Sequence, residues 1–311
     1  MANDFLAVAD FVADALDVDK TLTTSVLNQS PLVAATPITD TSDGSSTHQW
    51  NVYTQAPVVG FRTVNAGRDY DSSIDTVSSA TCLILDFSWR VDFALAHTWR
   101  QGAQDLIARE GLRHLGAALF KLEQQMVYGT TAKGDSAGFA GLIDNTAYDA
   151  VGDDMVINAA GTTADVQSSM WAIKFGFDHC RLVTPMDQGI QLGDTIVTEA
   201  NESNHPVYYT PASLYIAYQV GAKYSAGRIA NLNNATDSKP LTDDLISSLL
   251  ATFPAGGGPD ILVCNRTSLK DLQQSRTSTN PTGAPAPFPD NAFGVPIITS
   301  DAIVQTEAVE T

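Results

Sequence analysis

The chain has 311 residues, of which 17 are basic and 35 acidic, and its formal net charge is −18. With so few cations and no basic cluster, it lacks the phosphate-neutralising surface of a nucleic-acid-binding protein and should repel nucleic acid. Charged residues make up only 17% of the chain, below the roughly 25% of ordinary soluble domains, which is expected if much of the surface meets other copies of the protein.

Cysteine usage and hydropathy indicate the compartment. Cys82, Cys180 and Cys264 are odd in number and far apart in the chain, which is typical of a reducing cytoplasm and not of a disulfide framework. No positive charge precedes Lys20, so the first residues do not resemble a secretory signal. No apolar run approaches the roughly 20 residues that span a bilayer. We therefore expect a protein that is synthesised in a cytoplasm and does not contact a membrane.

The first predicted elements are a short helix and an arm. Apolar residues recur at helical spacing in residues 3–18, with aspartates between them, which predicts an amphipathic helix. Such a short helix must dock on another surface to be stable. Residues 19–47 are rich in Thr, Ser, Pro and Asp, and this composition favours an extended arm.

A long two-stranded excursion is predicted for residues 48–96. Its β-rich stretches run from His48 to Val64 and from Ala80 to Ala96, with a polar, turn-rich segment between them. A two-stranded hairpin is marginally stable alone in water, so the excursion should bury its apolar face on a partner. Charged residues near the tip either pair across that contact or are solvated charges worth under about 1 kcal/mol each. The candidates for pairing are Arg62, Arg68, Asp69, Asp71 and Asp75.

The longest predicted helix lies within residues 97–150. Thr98-x-x-Gln101 fits the capping-box pattern, and an apolar stripe at spacings of three and four residues runs from Ala108 to Met126. Gly129 is placed to end the helix. Roughly 30 residues at 1.5 Å each give a rod of about 45 Å, which we expect to lie on a sheet and not in a coiled coil. Three glycines inside this stretch predict close approach of a neighbouring element: Gly102, Gly111 and Gly116.

Residues 151–254 mix strands and helices. One strand pair is predicted from Met170 to Val183 about a turn at Gly176, and another from Leu214 to Asn231. The remaining predicted elements are a helix from Thr242, as its N-cap, to about Phe253, a buried strand at 260–264, a helix at 267–275 and a last strand at 295–298.

One motif points to an enzyme. Gly134-Asp-Ser136-Ala-Gly138 matches the G-x-S-x-G nucleophile elbow, and His179 or His205 could serve as the base. An elbow joins a strand to a helix, however, whereas here a predicted helix comes first. We favour a glycine-rich surface loop and keep a serine hydrolase using Ser136 as the enzyme alternative. The histidines are scattered, and neither a metal-binding spacing nor a phosphate-binding loop is present, so no metal or cofactor is expected.

Several strings resemble the major capsid proteins of tailed bacteriophages, in particular those of short-tailed phages of the epsilon-fifteen type. The strings are Gln104–Glu110 with Val127–Gly129, Gly138–Leu142, Met170–Gly176, Gly227–Asn231, Asp260–Thr267 and Phe293–Ile297. Their order and spacing match over nearly the whole chain. The resemblance implies an α+β fold with an N-arm, an extended E-loop β-hairpin, a peripheral domain with a long spine helix, and an axial domain. It divides the chain into an N-terminal helix and arm (1–47), the E-loop (48–96), the peripheral domain with the spine helix (97–150), the axial domain (151–254) and the return through the peripheral domain (255–311).

The same resemblance implies a structural protein and not an enzyme. The chain would self-assemble into the hexamers and pentamers of an icosahedral head that encloses double-stranded DNA. An encapsulin-like compartment shares the fold and stays as an alternative. Expected partners are copies of itself, a scaffolding protein, the portal and a decoration or cement protein, with packaged DNA in weak or repulsive contact. The expected location is the virion, after synthesis and assembly in the cytoplasm of a bacterial host.

Two departures from the resemblance shape these expectations. Some relatives carry a long N-terminal scaffolding segment that is later cleaved, but only residues 1–47 precede the E-loop here, which predicts a separate scaffolding protein. Some relatives crosslink neighbouring subunits through a lysine in the E-loop. No lysine occurs between Lys20 and Lys121, so we expect a shell without covalent crosslinks.

Overall fold

The computed structural model describes residues 30–68, 71–186, 189–200, 205–280 and 284–311. The helix predicted for residues 3–18 and the candidate Asp69 lie outside these residues. Over the described ranges the chain combines helices with four β-sheets, in agreement with the predicted α+β class.

The described part of the arm is more ordered than its composition predicted. Helix α1, Pro31–Ala35, starts with a proline, which is pre-shaped for the first helical position. Its Leu32 and Val33 are fully buried. Strand β1, Ile38–Asp40, then pairs in parallel with β8, Cys180–Thr184. The expectation of an extended arm is therefore wrong for residues 31–35, which form a helix because Leu32 and Val33 pack into the core, whereas residues 38–40 are extended.

The predicted hairpin is present, but its second strand was misplaced. Strand β2, Thr47–Gln55, pairs antiparallel with β3, Ile74–Thr81, and in the described chain neither pairs with another strand. The stretch from 80 to 96 divides instead into β4, Leu83–Asp86, β5, Trp89–Asp92, and α2, Phe93–Thr98. Two aspartates cause the breaks. Asp86 accepts a bond from the backbone of Ser88 at 2.9 Å, and Asp92 caps α2 through the Leu95 N–H at 2.9 Å.

The spine helix, α3, runs from Ala103 to Tyr128. The predicted capping box is wrong, because Thr98 ends α2 and the N-cap of α3 is Gly102. The apolar stripe is confirmed from its middle onward, with Leu115, Leu119, Leu122 and Met126 buried, whereas Ala108 is exposed.

Gly111 confirms the predicted close approach on this helix. A Cβ atom at Gly111 would lie 2.8 Å from the ring of Trp89, so β5 packs directly on the backbone of the spine helix. Any larger residue at this position would push the strand away.

The chain folds back on the end of the spine helix. Gly129 ends α3 with a φ of 50°, as predicted. The N–H groups of Leu142 and Ile143 then donate to the carbonyl oxygens of Met126 and Val127, at 2.9 and 3.1 Å. The following connector thus satisfies carbonyl groups that a helix C-terminus leaves unpaired.

Three sheets build the rest of the molecule. The six-stranded sheet has the order β15, β16, β14, β7, β13, β6, and its strands are Asn291–Ala292, Val295–Thr299, Ile261–Cys264, Ser168–Ile173, Ala226–Leu232 and Val156–Asn158. The five-stranded sheet has the order β1, β8, β12, β4, with β9 also on β12; β12 is Ala212–Val220 and β9 is Ile190–Leu192. The three-stranded sheet has the order β10, β11, β5, with β10 at Ile196–Glu199 and β11 at Pro206–Thr210.

Both predicted strand pairs in residues 170–231 are wrong in their partners. Strands β7 and β8 follow each other about Gly176 but belong to different sheets, and so do β12 and β13. Instead β7 pairs with β13, and β8 pairs with β12. Every residue of β7, β8 and β13 is buried, so these strands lack the polar alternation from which sequence can infer a shared face.

The elements near the C-terminal end agree with prediction. Helix α4, Asp243–Ala251, is capped by Thr242, whose hydroxyl accepts from the Leu245 N–H at 3.4 Å. Helix α5, Arg266–Thr279, follows the buried strand β14, and strand β16 covers the predicted last strand.

Glu123 joins the arm to the spine helix. Its carboxylate is fully buried and accepts a 3.0 Å hydrogen bond from the backbone N–H of Leu32, in α1. Burial raises the pKa of Glu123 to about 7, although bonds from Ser300 and Leu32 oppose the shift, and the nearby Asp301 adds to it. The folded protein therefore holds this proton more tightly than the unfolded chain does.

We predict a pH-dependent stability difference between the wild-type chain and Glu123→Gln. Because the pKa is raised by folding, the contribution of Glu123 is fully present below about 4.5 and is lost as pH rises through about 7. The two proteins should have similar urea midpoints at pH 4.5, and the variant should be the more stable one at pH 8. An exposed control, Glu199→Gln, should show no such divergence; parallel curves for Glu123→Gln would contradict the prediction.

Candidate functional site

The hairpin of β2 and β3, which the resemblance assigns to an E-loop, presents apolar side chains to solvent. The connection between β2 and β3 begins with residues 56–68, which we call the E-loop tip. Val59 is 82% exposed and Val64 is 90% exposed. Exposed apolar clusters of this kind usually mark a surface that another molecule covers. The large apolar residues exposed on this hairpin are Tyr53, Val58, Val59, Phe61, Val64, Ile74 and Val77.

The base of the hairpin is held by a buried polar cluster. The backbone N–H of Ser42 donates to His48 Nδ1 at 3.0 Å, so Nε2 carries the proton and donates to Gln219 Oε1 at 2.8 Å. Arg181 Nε donates to the same oxygen at 2.8 Å. Burial lowers the pKa of His48, and the charge of Arg181 lowers it further, against the bond to Gln219. The neutral side chain of His48 thus attaches the start of β2 to the five-stranded sheet.

Four of the five predicted tip residues lie within the described chain. Arg62 donates to the carbonyl oxygen of Ala66 at 3.5 Å, and Arg68 donates to Gly60 O at 3.4 Å and to Val58 O. Asp71 accepts from Gln55 Nε2 at 3.2 Å, and Asp75 lies opposite Tyr53 in the ladder. These contacts stay inside the hairpin. Pairing of these charges with another copy therefore stays a prediction.

Sequence reasoning concentrated on charge and missed the apolar part of the tip. The missed residues are Val58, Val59, Phe61 and Val64. The sequence Pro57-Val-Val-Gly-Phe61 carries a signal for this surface. It is an apolar run interrupted by proline and glycine, which both disfavour a central strand. Such a run in an irregular segment indicates an exposed anchor and not a core element.

The G-x-S-x-G motif is a loop on the end of the spine helix. Ser136 is exposed. A Cβ atom at Gly134 would lie 1.9 Å from Gly129 O, and one at Gly138 would lie 2.5 Å from the amide of Gln125. Packing against the helix end thus accounts for both glycines.

Neither candidate base bonds to Ser136 in the described part of the chain. His179 Nδ1 contacts Ser225 Oγ at 3.2 Å, and His205 Nε2 lies 3.4 Å from a carboxylate oxygen of Asp92. Over the same residues, His, Cys, Asp and Glu side chains form no cluster of three or more that could hold a metal ion. None of the described helices has the length and apolar character needed to cross a membrane.

Residues 24–310 match the protein family described as major capsid protein GP7. The chain belongs to this family. It is therefore a structural subunit of the icosahedral head of a bacteriophage, as the resemblance implied. No curated protein sequence matches the chain.

One solved structure shows the fold. A chain of the cryo-EM structure of bacteriophage Epsilon15 superposes with a TM-score of 0.62 at 18% identity, covering 88% of this chain and 87% of that one. The protein therefore has the tailed-phage major capsid protein fold. The capsid of bacteriophage JBD30 aligns with a TM-score of 0.48, 11% identity and coverages of 85% and 88%. The SrpI encapsulin of Synechococcus elongatus PCC 7942 aligns at 0.42, with 10% identity and coverages of 66% and 88%.

Proposed function

We propose that the chain forms hexamers and pentamers through its E-loop, and that the resulting head encloses double-stranded DNA. The observation that carries this proposal is the hairpin of β2 and β3, which pairs with no other strand in the described chain and exposes apolar side chains along its length. In a closed shell each subunit is surrounded by other copies of the chain, and these copies can cover the apolar side chains of the hairpin.

The proposed domains follow the order of the elements. Residues 1–47 form the N-terminal helix and arm, and 48–96 form the E-loop. Residues 97–150 and 255–311 form the peripheral domain around the spine helix, and 151–254 form the axial domain at the capsomer centre. Supporting this division, the 255–311 segment returns to α3, where the hydroxyl of Tyr128 bonds to Glu307 and accepts from the Val304 N–H at 3.0 Å.

Weak contacts suit assembly of a closed shell. Each buried Val or Phe side chain contributes about 1.5–3 kcal/mol, and the loss of translational and rotational freedom offsets much of this in a single contact. A subunit misplaced in a growing shell can then dissociate, whereas a subunit held on all sides stays. Assembly would take place in the cytoplasm of the bacterial host, before the particle becomes a virion.

We propose further protein partners for this subunit, because a tailed-phage head also contains other components. A separate scaffolding protein would guide curvature, the portal would occupy one vertex, and a decoration or cement protein would bind outside. With a net charge of −18, the chain would touch packaged DNA only weakly and would not restrain its movement. An encapsulin-like shell is the alternative, and recovery of a protein cargo instead of a genome from purified particles would favour it.

We further propose that the protein is not an enzyme. Ser136 is exposed, and among the described residues His179 bonds to Ser225 and His205 lies beside Asp92, so neither candidate base is paired with the serine. Purified wild-type protein and Ser136→Ala should give equal, background rates in an ester hydrolysis assay. A rate that the substitution removes would restore the hydrolase alternative.

Apolar residues of the tip should be essential for assembly. Replacing Val59 and Phe61 by Ser removes exposed apolar area, so we expect particle yield to fall at least tenfold while the thermal midpoint of the unassembled chain stays unchanged. Electron microscopy and sedimentation with the scaffolding protein measure the yield. Phe288→Ser, which removes an aromatic side chain exposed elsewhere, is the matched control. Normal yield from the tip variant would overturn the proposal.

The shell should hold together without covalent bonds. Lysine is absent from residues 21–120, so the E-loop lacks an amine that could form an isopeptide bond. Mature particles boiled in denaturant should run as one band at the monomer mass. A ladder of multimers under reducing conditions would contradict this expectation.

A further inference from the structure

The edge of the three-stranded sheet is an unusual surface. Strand β10 pairs with β11 on one side only, and in the described chain its other edge is open. Ile196 and Val197 point to opposite faces of this strand, and each is more than half exposed. Asp194 lies two residues before the strand, and Glu199 is its last residue. An open edge, two exposed apolar side chains and two carboxylates thus occur within six residues.

The E-loop tip has the complementary character. Residues 44–68 contain Arg62 and Arg68 but no acidic residue, in a chain with twice as many acids as bases. In the sequence the acidic residues Asp69, Asp71 and Asp75 all come after the tip, on the way to β3 or within it. The outgoing side of the tip is therefore apolar and cationic.

The backbone of the tip is prepared for pairing along one side. Residues 56–63 run without a helix or turn, and Arg68 binds the carbonyl oxygens of Val58 and Gly60. In an extended segment, alternate residues direct their polar backbone groups to the same side. Arg68 holds the carbonyl oxygens of Val58 and Gly60, and among the described residues the backbone groups of Val59 and Phe61 form no hydrogen bond. Holding this shape in advance reduces the entropy lost on binding.

We propose that the E-loop tip of one copy docks as an added strand on the open β10 edge of a second copy, with Val59 and Phe61 beside Val197 on one face of the sheet. This inference rests on the proposed function and names the acceptor surface for it. Arg62 lies on the other face, which Asp194 shares with Ile196, so its guanidinium can pair with the Asp194 carboxylate. An extended segment that adds to a sheet edge gains backbone hydrogen bonds, while the side chains supply selectivity.

A second copy is favoured over the same chain as the partner. In the described chain, the hydrogen bonds of residues 56–68 join these residues to one another. Docking of two β10 edges on each other would bring four carboxylates together without a cation, which the charge pattern disfavours. The tip supplies the missing positive charge.

Site-specific crosslinking tests the inference directly. The native cysteines Cys82, Cys180 and Cys264 are buried, so maleimides should react mainly with introduced cysteines. Particles that carry Arg62→Cys with Asp194→Cys should form dimers and higher multimers with a short bis-maleimide. Particles that carry Arg62→Cys with Asp149→Cys, an exposed control position, should stay monomeric on denaturing gels. Normal particles without multimers from the first pair would overturn the docking.

Charge reversal gives a second, independent readout. Arg62→Glu should lower particle yield at least tenfold, and adding Asp194→Arg should restore most of it, whereas adding Asp149→Arg should not. Equal yields from all three variants would overturn the docking and leave the capsid function in place. A wild-type chain that stays monomeric with its scaffolding protein would overturn the proposed function, and this inference with it.

Discussion

Replacing Glu307 by Ala is expected to lower the free energy of unfolding by about 3–5 kcal/mol. Glu307 Oε2 accepts from Arg228 Nη2 at 3.1 Å, and both side chains are buried. Oε1 accepts from Ser169 Oγ at 2.8 Å and from the Tyr128 hydroxyl. The substitution leaves a guanidinium without its main counter-charge in the core, which is the costly way to break a buried pair.

The network also connects distant segments. Arg228 is in β13, Ser169 is in β7, and Tyr128 ends the spine helix, while Glu307 belongs to the return segment near the C-terminal end. Gln167 and Glu307 further exchange backbone hydrogen bonds at 3.2 and 2.9 Å. Loss of the carboxylate should therefore loosen the joint between the spine helix and the six-stranded sheet.

Matched variants separate the buried charge from a general effect of substitution. Glu310 also accepts from Arg228 Nη2 at 3.1 Å but is a quarter exposed, so Glu310→Ala should cost much less than Glu307→Ala. The double variant Arg228→Met with Glu307→Met should recover much of the loss, because neither charge stays behind. Urea denaturation of the unassembled chain measures all three. Equal, small losses for Glu307→Ala and Glu310→Ala would contradict the prediction.

Local signals were readable in the sequence, and this network was not. The spine helix, its end at Gly129 and the cap at Thr242 each depend on neighbours within a few residues, and each is confirmed. Glu307 and Arg228 are 79 residues apart, and neither stands in a motif. An isolated Arg in a buried strand could have indicated a hidden carboxylate partner, but not which of 35 acids it is.

The pairing of the strands could not be predicted from the sequence for a different reason. A half-buried strand shows its face by alternation, but β7, β8 and β13 are buried throughout and carry no such pattern. Consecutive strands were therefore paired by proximity, although the chain moves between two sheets at Gly176 and again before Ala226. The resemblance to capsid proteins predicted the order of the elements and the function. The partners and register of the strands could be determined only from the structure. The apolar tip was missed because Val58, Val59, Phe61 and Val64 belong to residue types that usually are buried, and the stretch to Val64 was assigned to a strand.

Gly129→Ala is expected to destabilise the chain by roughly 2–6 kcal/mol, through backbone strain and overpacking together. Gly129 has φ 50° and ψ −129°, a combination that residues with a Cβ atom rarely adopt. A Cβ atom there would lie 1.7 Å from a carboxylate oxygen of Asp144 and 2.3 Å from the Gly141 nitrogen. Relief of this overlap requires movement of the whole fold-back on the helix end.

The Asp144 carboxylate shows what that movement would break. Its Oδ2 accepts from the N–H groups of Thr130 and Gly141 at 2.8 and 2.9 Å, and its Oδ1 accepts from the Thr130 hydroxyl at 2.9 Å. Displacing it also frees the segment that bonds to the last carbonyl groups of the spine helix. We therefore expect local loosening of residues 129–143 beyond the loss of stability, visible as faster amide exchange there.

Gly67→Ala is the matched control for this prediction. Gly67 is an exposed loop glycine, and a Cβ atom there would contact nothing within 4 Å. Its substitution should leave the urea midpoint and amide exchange nearly unchanged. If Gly129→Ala behaved like this control, the spine helix would not depend on the close fold-back at its end. A large loss for Gly129→Ala alone would identify this junction as a point where the spine helix is fixed to the rest of the fold.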